Sequence, residues 1–204
     1  MIEVRTYCPK DYFGSNCYLI KSGDFYSVVD PSVDYSIVKA EHPEIEGRIK
    51  YILLTHCHFD HIFKIDSWVE NSQAKVIIGA NDASGLSNSY TNCYLQFLGV
   101  DDGYYGEYLS VSENTRLEFG DSFIEVIDCP GHTAGGVSYR IDECLFTGDT
   151  VFAQGGYGRC DLPGGDAPTL FASISRLCEL PDGLDVYSGH GEDTTIEEIK
   201  RNFK

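Results

Sequence analysis

Thr55-His56-Cys57-His58-Phe59-Asp60-His61 puts three imidazoles and one carboxylate within six consecutive residues, His56 to His61. Before it lies Tyr51-Ile52-Leu53-Leu54, a short apolar run with the character of a buried strand. After it, Ile62, Ile65 and Val69 recur at helical spacing with Asp66 and Glu70 between them. The ligand-rich piece is therefore a loop between a strand and a helix, which is where α/β folds place their sites. In extended chain His56 and His58 project to the same side, because side chains alternate with period two. The bend that starts the helix turns Asp60 and His61 elsewhere. This arrangement suits two adjacent metal ions, one on His56 and His58 and the other on Asp60 and His61. A polar loop of backbone-bonded histidines is the competing account. Packing alone gives little reason to cluster four ligand side chains after one strand.

The 204 residues are enough for one α/β domain, so residues 1–204 are expected to form a single domain. A hydrophobic share of 42% marks a globular chain. The net charge of −17 argues against nucleic acid or an anionic membrane surface as partner. Metal-binding carboxylate accounts for part of that acidity. The start, Met1-Ile2-Glu3-Val4-Arg5, shows no basic segment followed by an apolar one, and no apolar run reaches membrane-spanning length. The eight cysteines form no CxxC pair and are expected to be reduced thiols of a cytoplasmic protein. Cys57 lies among the histidines and could reach a metal, but a small side chain facing the core is the expectation.

Strands are expected at residues 2–6, 16–20 and 26–30, the last two joined by a hairpin turn at Ser22-Gly23-Asp24. A short helix fits 35–42, and a strand at 49–54 feeds the histidine loop. The helix after that loop is expected to run to about Asn71, followed by a strand at 75–79. The stretch 81–113 carries weak signals, with some helix expected around 86–98. It is either aromatic-rich surface or a wall of a substrate pocket. Sheet resumes at 122–127, 137–140, 144–147 and 184–188, and an amphipathic helix at 169–180 starts after Pro168.

Five of the six histidines, all but His42, follow expected strands: His56, His58, His61, His132 and His190. Asp149 follows one in the same way, and glycine precedes His132, Asp149 and His190. Glycine there permits a tight turn and close approach of the chain to a bound group. Separate strands would thus present nitrogen and oxygen ligands at one edge of a sheet.

These motifs resemble those of the metallo-β-lactamase fold superfamily. Its HxHxDH signature is matched by His56 to His61, and its later His, Asp and His by His132, Asp149 and His190. The resemblance implies a four-layer αββα sandwich with the metals at one edge. It also implies a ligand split: His56, His58 and His132 on the first metal, and Asp60, His61 and His190 on the second. Asp149 would bridge both, with Asp60 and Asp149 counted as catalytic. Asn16-Cys17-Tyr18, Phe146-Thr147-Gly148-Asp149-Thr150 and Gly158-Arg159-Cys160-Asp161-Leu162-Pro163-Gly164-Gly165-Asp166 are similar to short bacterial members of the glyoxalase II-like (hydroxyacylglutathione hydrolase-like) branch. His58 departs from the flavodiiron branch, which has a carboxylate there, and Asp149 from the classical zinc lactamases, which commonly carry cysteine. With about a dozen residues after Gly191, the helical extension that helps full-length glyoxalase II hold glutathione is not expected here.

The implied activity is hydrolysis of a thioester or related ester, a water shared between two divalent cations serving as hydroxide nucleophile. Zinc is the default cation, and iron and manganese accept the same donors. Arg159 and Asp161 are expected either to orient a ligand or grip a substrate carboxylate, or to form a loop salt bridge. A mononuclear iron persulfide dioxygenase and a non-enzymatic metal-binding or redox-partner domain are the alternative functions.

Overall fold

Period-two alternation sorts this chain into layers. The computed structural model describes residues 2–9 and 14–203. One sheet holds β1 (Glu3–Tyr7), β2 (Cys17–Ser22), β3 (Phe25–Val29), β4 (Ile49–Leu53), β5 (Lys75–Gly79) and β6 (Leu109–Val111), in that spatial order. The other holds β7 (Arg116–Phe119), β8 (Ser122–Asp128), β9 (Val137–Ile141), β10 (Cys144–Gly148), β11 (Asp185–Ser188) and β12 (Thr194–Thr195), again in chain order. On β2, Tyr18 and Ile20 point between the sheets, where they join Tyr139 and Phe146. Cys17 and Leu19 point the other way, into a core with Val38 of α1 (Tyr35–Glu41) and Trp68 of α3 (Ile65–Asn71). The second sheet repeats the pattern. Phe146 faces inward, while Leu145 packs on Leu170 and Ile174 of α5 (Ala167–Leu177) and Ile199 of α6 (Ile196–Phe203). The result is helix, sheet, sheet, helix: the αββα sandwich.

The pairings explain the sequence texture. β3 to β6 run parallel and are reached by crossovers, so β4 and β5 are covered on both faces and appear as unbroken apolar runs. The β2–β3 hairpin pairs Ser22 with Phe25 across Gly23-Asp24, as the turn residues predict. At the site edge the two sheets are also joined by hydrogen bonds. The buried Tyr139 hydroxyl donates to the Leu54 carbonyl at 2.7 Å, and the Val137 N–H donates to the Thr55 carbonyl at 2.9 Å.

The helix expected to continue to Asn71 is two helices, α2 (Phe59–Ile62) and α3. Lys64, at φ −118° and ψ 18°, leaves helical geometry and donates its N–H to the Pro31 carbonyl. The break lets α2 aim Asp60 and His61 while α3 seats Trp68, whose indole N–H donates to the Val33 carbonyl. Of the helix expected around 86–98, only α4 (Tyr94–Leu98) forms. Asn88 and Asn92 side chains accept from the N–H groups of Tyr90, Thr91 and Tyr94, which offers the backbone an alternative to helix. The strands β6 and β7 and the helix α6 carry no expectation from the sequence.

Tyr139→Phe removes the hydroxyl that the buried Leu54 carbonyl accepts from. It should lower stability by about 1–3 kcal/mol, several degrees in Tm, in thermal unfolding at fixed metal content.

Candidate metal centre

The seven donors come from both sheets. β4 delivers the loop with His56 and His58, and His58 keeps extended geometry (φ −63°, ψ 147°) as the last residue before α2. The helix start then turns Asp60 and His61. His132 lies on the β8–β9 loop, Asp149 follows β10, and His190 follows β11. Gly189 is demanded by close approach: a Cβ there would sit 2.1 Å from Asp149 Oδ1.

All seven side chains converge. His58 Nδ1 lies 3.1 Å from His56 Nε2 and 2.9 Å from His132 Nε2. His190 Nε2 lies 3.2 Å from Asp60 Oδ2, and His61 Nε2 3.7 Å from that same oxygen. Asp149 stands between the two groups. Its Oδ2 is 3.5 Å from both His132 Nε2 and His190 Nε2, and its Oδ1 is 3.4 Å from His61 Nε2.

The surroundings decide which nitrogens carry lone pairs. The Asp30 carboxylate accepts from His61 Nδ1 at 2.8 Å, so Nε2 is the His61 nitrogen that faces the centre. The Arg159 carbonyl accepts from His132 Nδ1 at 2.7 Å, so His132 Nε2 is bare. The Thr55 hydroxyl gives its proton to Asp30 Oδ2 and lies 3.1 Å from His56 Nδ1, which can donate to it. These orientations are assigned from the hydrogen-bond network, and each turns the other ring nitrogen into the centre.

A metal ion fits these positions. Nitrogen ligands at about 2.0–2.1 Å in tetrahedral array lie roughly 3.3 Å apart, close to the spacing of the His56, His58 and His132 nitrogens. Among the described residues His58 Nε2, His61 Nε2 and Asp149 Oδ1 are buried with no hydrogen bond of normal geometry; the last two face each other at 3.4 Å in the centre, as expected of atoms reserved for a cation. Imidazole and carboxylate donors accept zinc, iron or manganese. His56, His58 and His132 form one candidate group and Asp60, His61 and His190 another, with Asp149 placed to serve both. Cys57 is fully buried and belongs to the core between sheet and helices, as expected.

The charge pattern differs between the groups. Burial and the neighbouring imidazoles push His56 well below its ordinary value and His58 down to about 3. Burial also pulls His61 down, but the carboxylates of Asp30, Asp60 and Asp149 outweigh it and hold His61 well above. Burial pushes Asp149 up, yet His190 and His61 hold it well below the usual carboxylate range.

The centre opens into a cavity of about 290 Å³ walled by Phe59, Cys93, Phe97, Phe152 and Leu162. The 81–113 stretch is divided: Tyr90, Tyr105 and Tyr108 are exposed, Tyr94 and Tyr104 pack in the core, and Cys93 and Phe97 face the cavity. Arg159 also lines it. Its guanidinium is held by Asp161 through two 2.6 Å hydrogen bonds, so the loop salt bridge forms. Arg159 touches the centre through its carbonyl on His132, and Asp161 does not reach it.

The sequence matches the description "Metallo-beta-lactamase superfamily" over residues 11–190. The chain belongs to that superfamily. Within it, the chain is 30% identical over 207 residues to hydroxyacylglutathione hydrolase GloC of Haemophilus influenzae, covering 95% of this chain and 93% of that protein. The superfamily fold is shared with the BLEG-1 B3 metallo-beta-lactamase at 30% identity and a TM-score of 0.85, covering 97% and 95% of the two chains. It is shared equally with TTHA1623, solved in a di-iron-bound form, at 30% identity and a TM-score of 0.82 over 98% of each chain. Fold, donor set and relatives together make this a metal-dependent hydrolase of the superfamily. Among the described residues no helix is long and apolar enough to cross a membrane.

Two carboxylates that hold ligand-bearing loops, Asp30 and Asp82, went unremarked in the sequence. Asp30 follows a strand as Asp149 does, which was the available signal. Asp30→Asn should weaken metal binding about 10–100-fold, read by chelator competition, because it disturbs the proton that fixes His61.

Proposed function

We propose that the chain is a binuclear metal-dependent hydrolase of thioesters or related esters. The observation that carries this reading is two donor groups sharing Asp149 at the floor of an apolar cavity. When bound, a pair of divalent cations supplies Lewis acidity for a carbonyl and brings a water toward hydroxide near neutral pH. Zinc suits these donors by default, and the di-iron form of TTHA1623 keeps iron in view.

The chain's own residues do the rest. Asp149 reaches both groups and holds them at a fixed separation. Asp60 supplies the oxygen that faces His61 and His190. Phe59 and Phe97 stack at 5.4 Å and keep one wall of the cavity dry. That wall suits the apolar part of an acyl group, and a thiolate leaves with little acid help. Every histidine lone pair at the floor is engaged by the donor groups, so none is left as general base for a serine or cysteine. The thiol facing the cavity, Cys93, is pushed up to about 11 by burial and the Asp60 carboxylate, against the opposing pull of Arg159. It is therefore protonated at neutral pH and a poor nucleophile.

Small-molecule substrates, rather than nucleic acid or membranes, fit a cavity of this size on a chain of net charge −17. The eight free thiols support a reducing, cytoplasmic setting. Similarity to BLEG-1 supports a second reading, hydrolysis of a β-lactam amide at the same floor.

Metal analysis of the purified protein, with turnover of S-lactoylglutathione, simpler thioesters and a β-lactam, tests the reading. The expected result is two metals per chain and thioester hydrolysis, with Asp149→Ala losing metal and at least about 100-fold in kcat. One iron per chain with oxygen uptake on glutathione persulfide would overturn it, as would no turnover by the fully loaded protein. Cys93→Ser should keep kcat within about threefold, and Cys93 should resist alkylation at pH 7 and react only as pH nears about 11.

A further inference from the structure

The His56–His58 loop belongs to the first sheet and His132 to the second, yet their three nitrogens must meet within about 3 Å. One buried side chain outside the donor set spans the gap. Asp82, just beyond β5, is 3% exposed. Its Oδ2 accepts from the Cys57 N–H at 3.1 Å and from the Thr133 hydroxyl at 2.7 Å. Its Oδ1 accepts from the Gly135 N–H at 2.6 Å. Cys57 sits between His56 and His58, and Thr133 directly follows His132. A single carboxylate therefore grips the chain beside all three imidazoles. The backbones are in contact too: a Cβ on Gly135 would lie 2.2 Å from the Asp82 nitrogen, so only glycine lets the His132 loop dock there.

Burying a carboxylate is costly, and the groups that donate to Asp82, two amides, a hydroxyl and the Cys57 thiol, are neutral. Apolar packing would join two loops at lower cost. What the carboxylate adds is direction, since its oxygens fix two N–H groups and a hydroxyl around one point.

We propose that Asp82 is a positioning residue that sets the spacing of His56, His58 and His132, and so the metal affinity of that half of the centre. The proposal rests on the binuclear reading above. Asp82 touches none of the donor atoms and acts through Cys57, Thr133 and Gly135.

The test loads the wild type, Asp82→Asn, Thr133→Val and Thr133→Ser with zinc and titrates each with a chromophoric chelator. Asp82→Asn should weaken one of two zinc ions about 10–100-fold and leave the other within about twofold. Thr133→Val should move the same ion by less, and Thr133→Ser, which keeps the hydroxyl, should restore it. If Asp82→Asn does not fold, the Thr133 pair decides alone. Folded variants with lowered Tm but wild-type zinc affinity at both positions would overturn the proposal and leave the binuclear reading standing. A wild type that binds no metal would sink that reading, and this proposal with it.

Discussion

Three imidazole nitrogens brought within about 3 Å of one another are the constraint on which this molecule depends. The far nitrogens of His56 and His132 face acceptors, Thr55 and Arg159, which leaves the near nitrogens without protons to share. A neutral His58 can share one proton across this cluster, whereas a cation would draw a lone pair from each ring. The rest of the fold must hold the three rings at that spacing, and it does so with a buried hydroxyl and a backbone carbonyl on the outer nitrogens of His56 and His132.

The same geometry couples the centre to the sandwich. Each donor group draws two side chains from the loop after β4 and one from the second sheet: His56 and His58 with His132, Asp60 and His61 with His190. Asp149, also from the second sheet, reaches both. A bound cation thus bridges the sheets at their site edge, next to the Tyr139–Leu54 and Val137–Thr55 hydrogen bonds. Metal binding and sheet packing are then linked free energies, since the donors are far apart in an unfolded chain.

The donor set was legible because its chemistry is concentrated. Four of the seven residues lie within six positions, and the other three lie beyond strand ends, each directly after a glycine. The sheets were legible because the apolar runs of β2, β5 and β10 are short and bounded by turn residues. Asp30 and Asp82 were not, since an acid beside Pro31 or after Asn81 looks like ordinary turn chemistry until its donors, 25 to 53 residues away, come into view. The helix break at Lys64 was hidden for a similar reason, because its cause is the distant Pro31 carbonyl. β6 exposes Leu109 and Ser110 and shows no alternation to find. α6 does carry a signal, Ile196, Ile199 and Phe203 at helical spacing.

The charge pattern explains how one fold can hold this centre with or without cations. His56 and His58 are pushed down and are neutral at ordinary pH. For His61 and His190 burial pulls down, but the carboxylates around them prevail and hold both up. These are the imidazoles beside Asp30, Asp60 and Asp149, where positive charge offsets buried negative charge. A cation bound at that half would take over this electrostatic work. At the other half it would meet His56 and His58 already neutral. Asp149 belongs to both regimes: held ionised by His190 and His61 in the absence of metal, it needs no change of state to serve as the shared ligand.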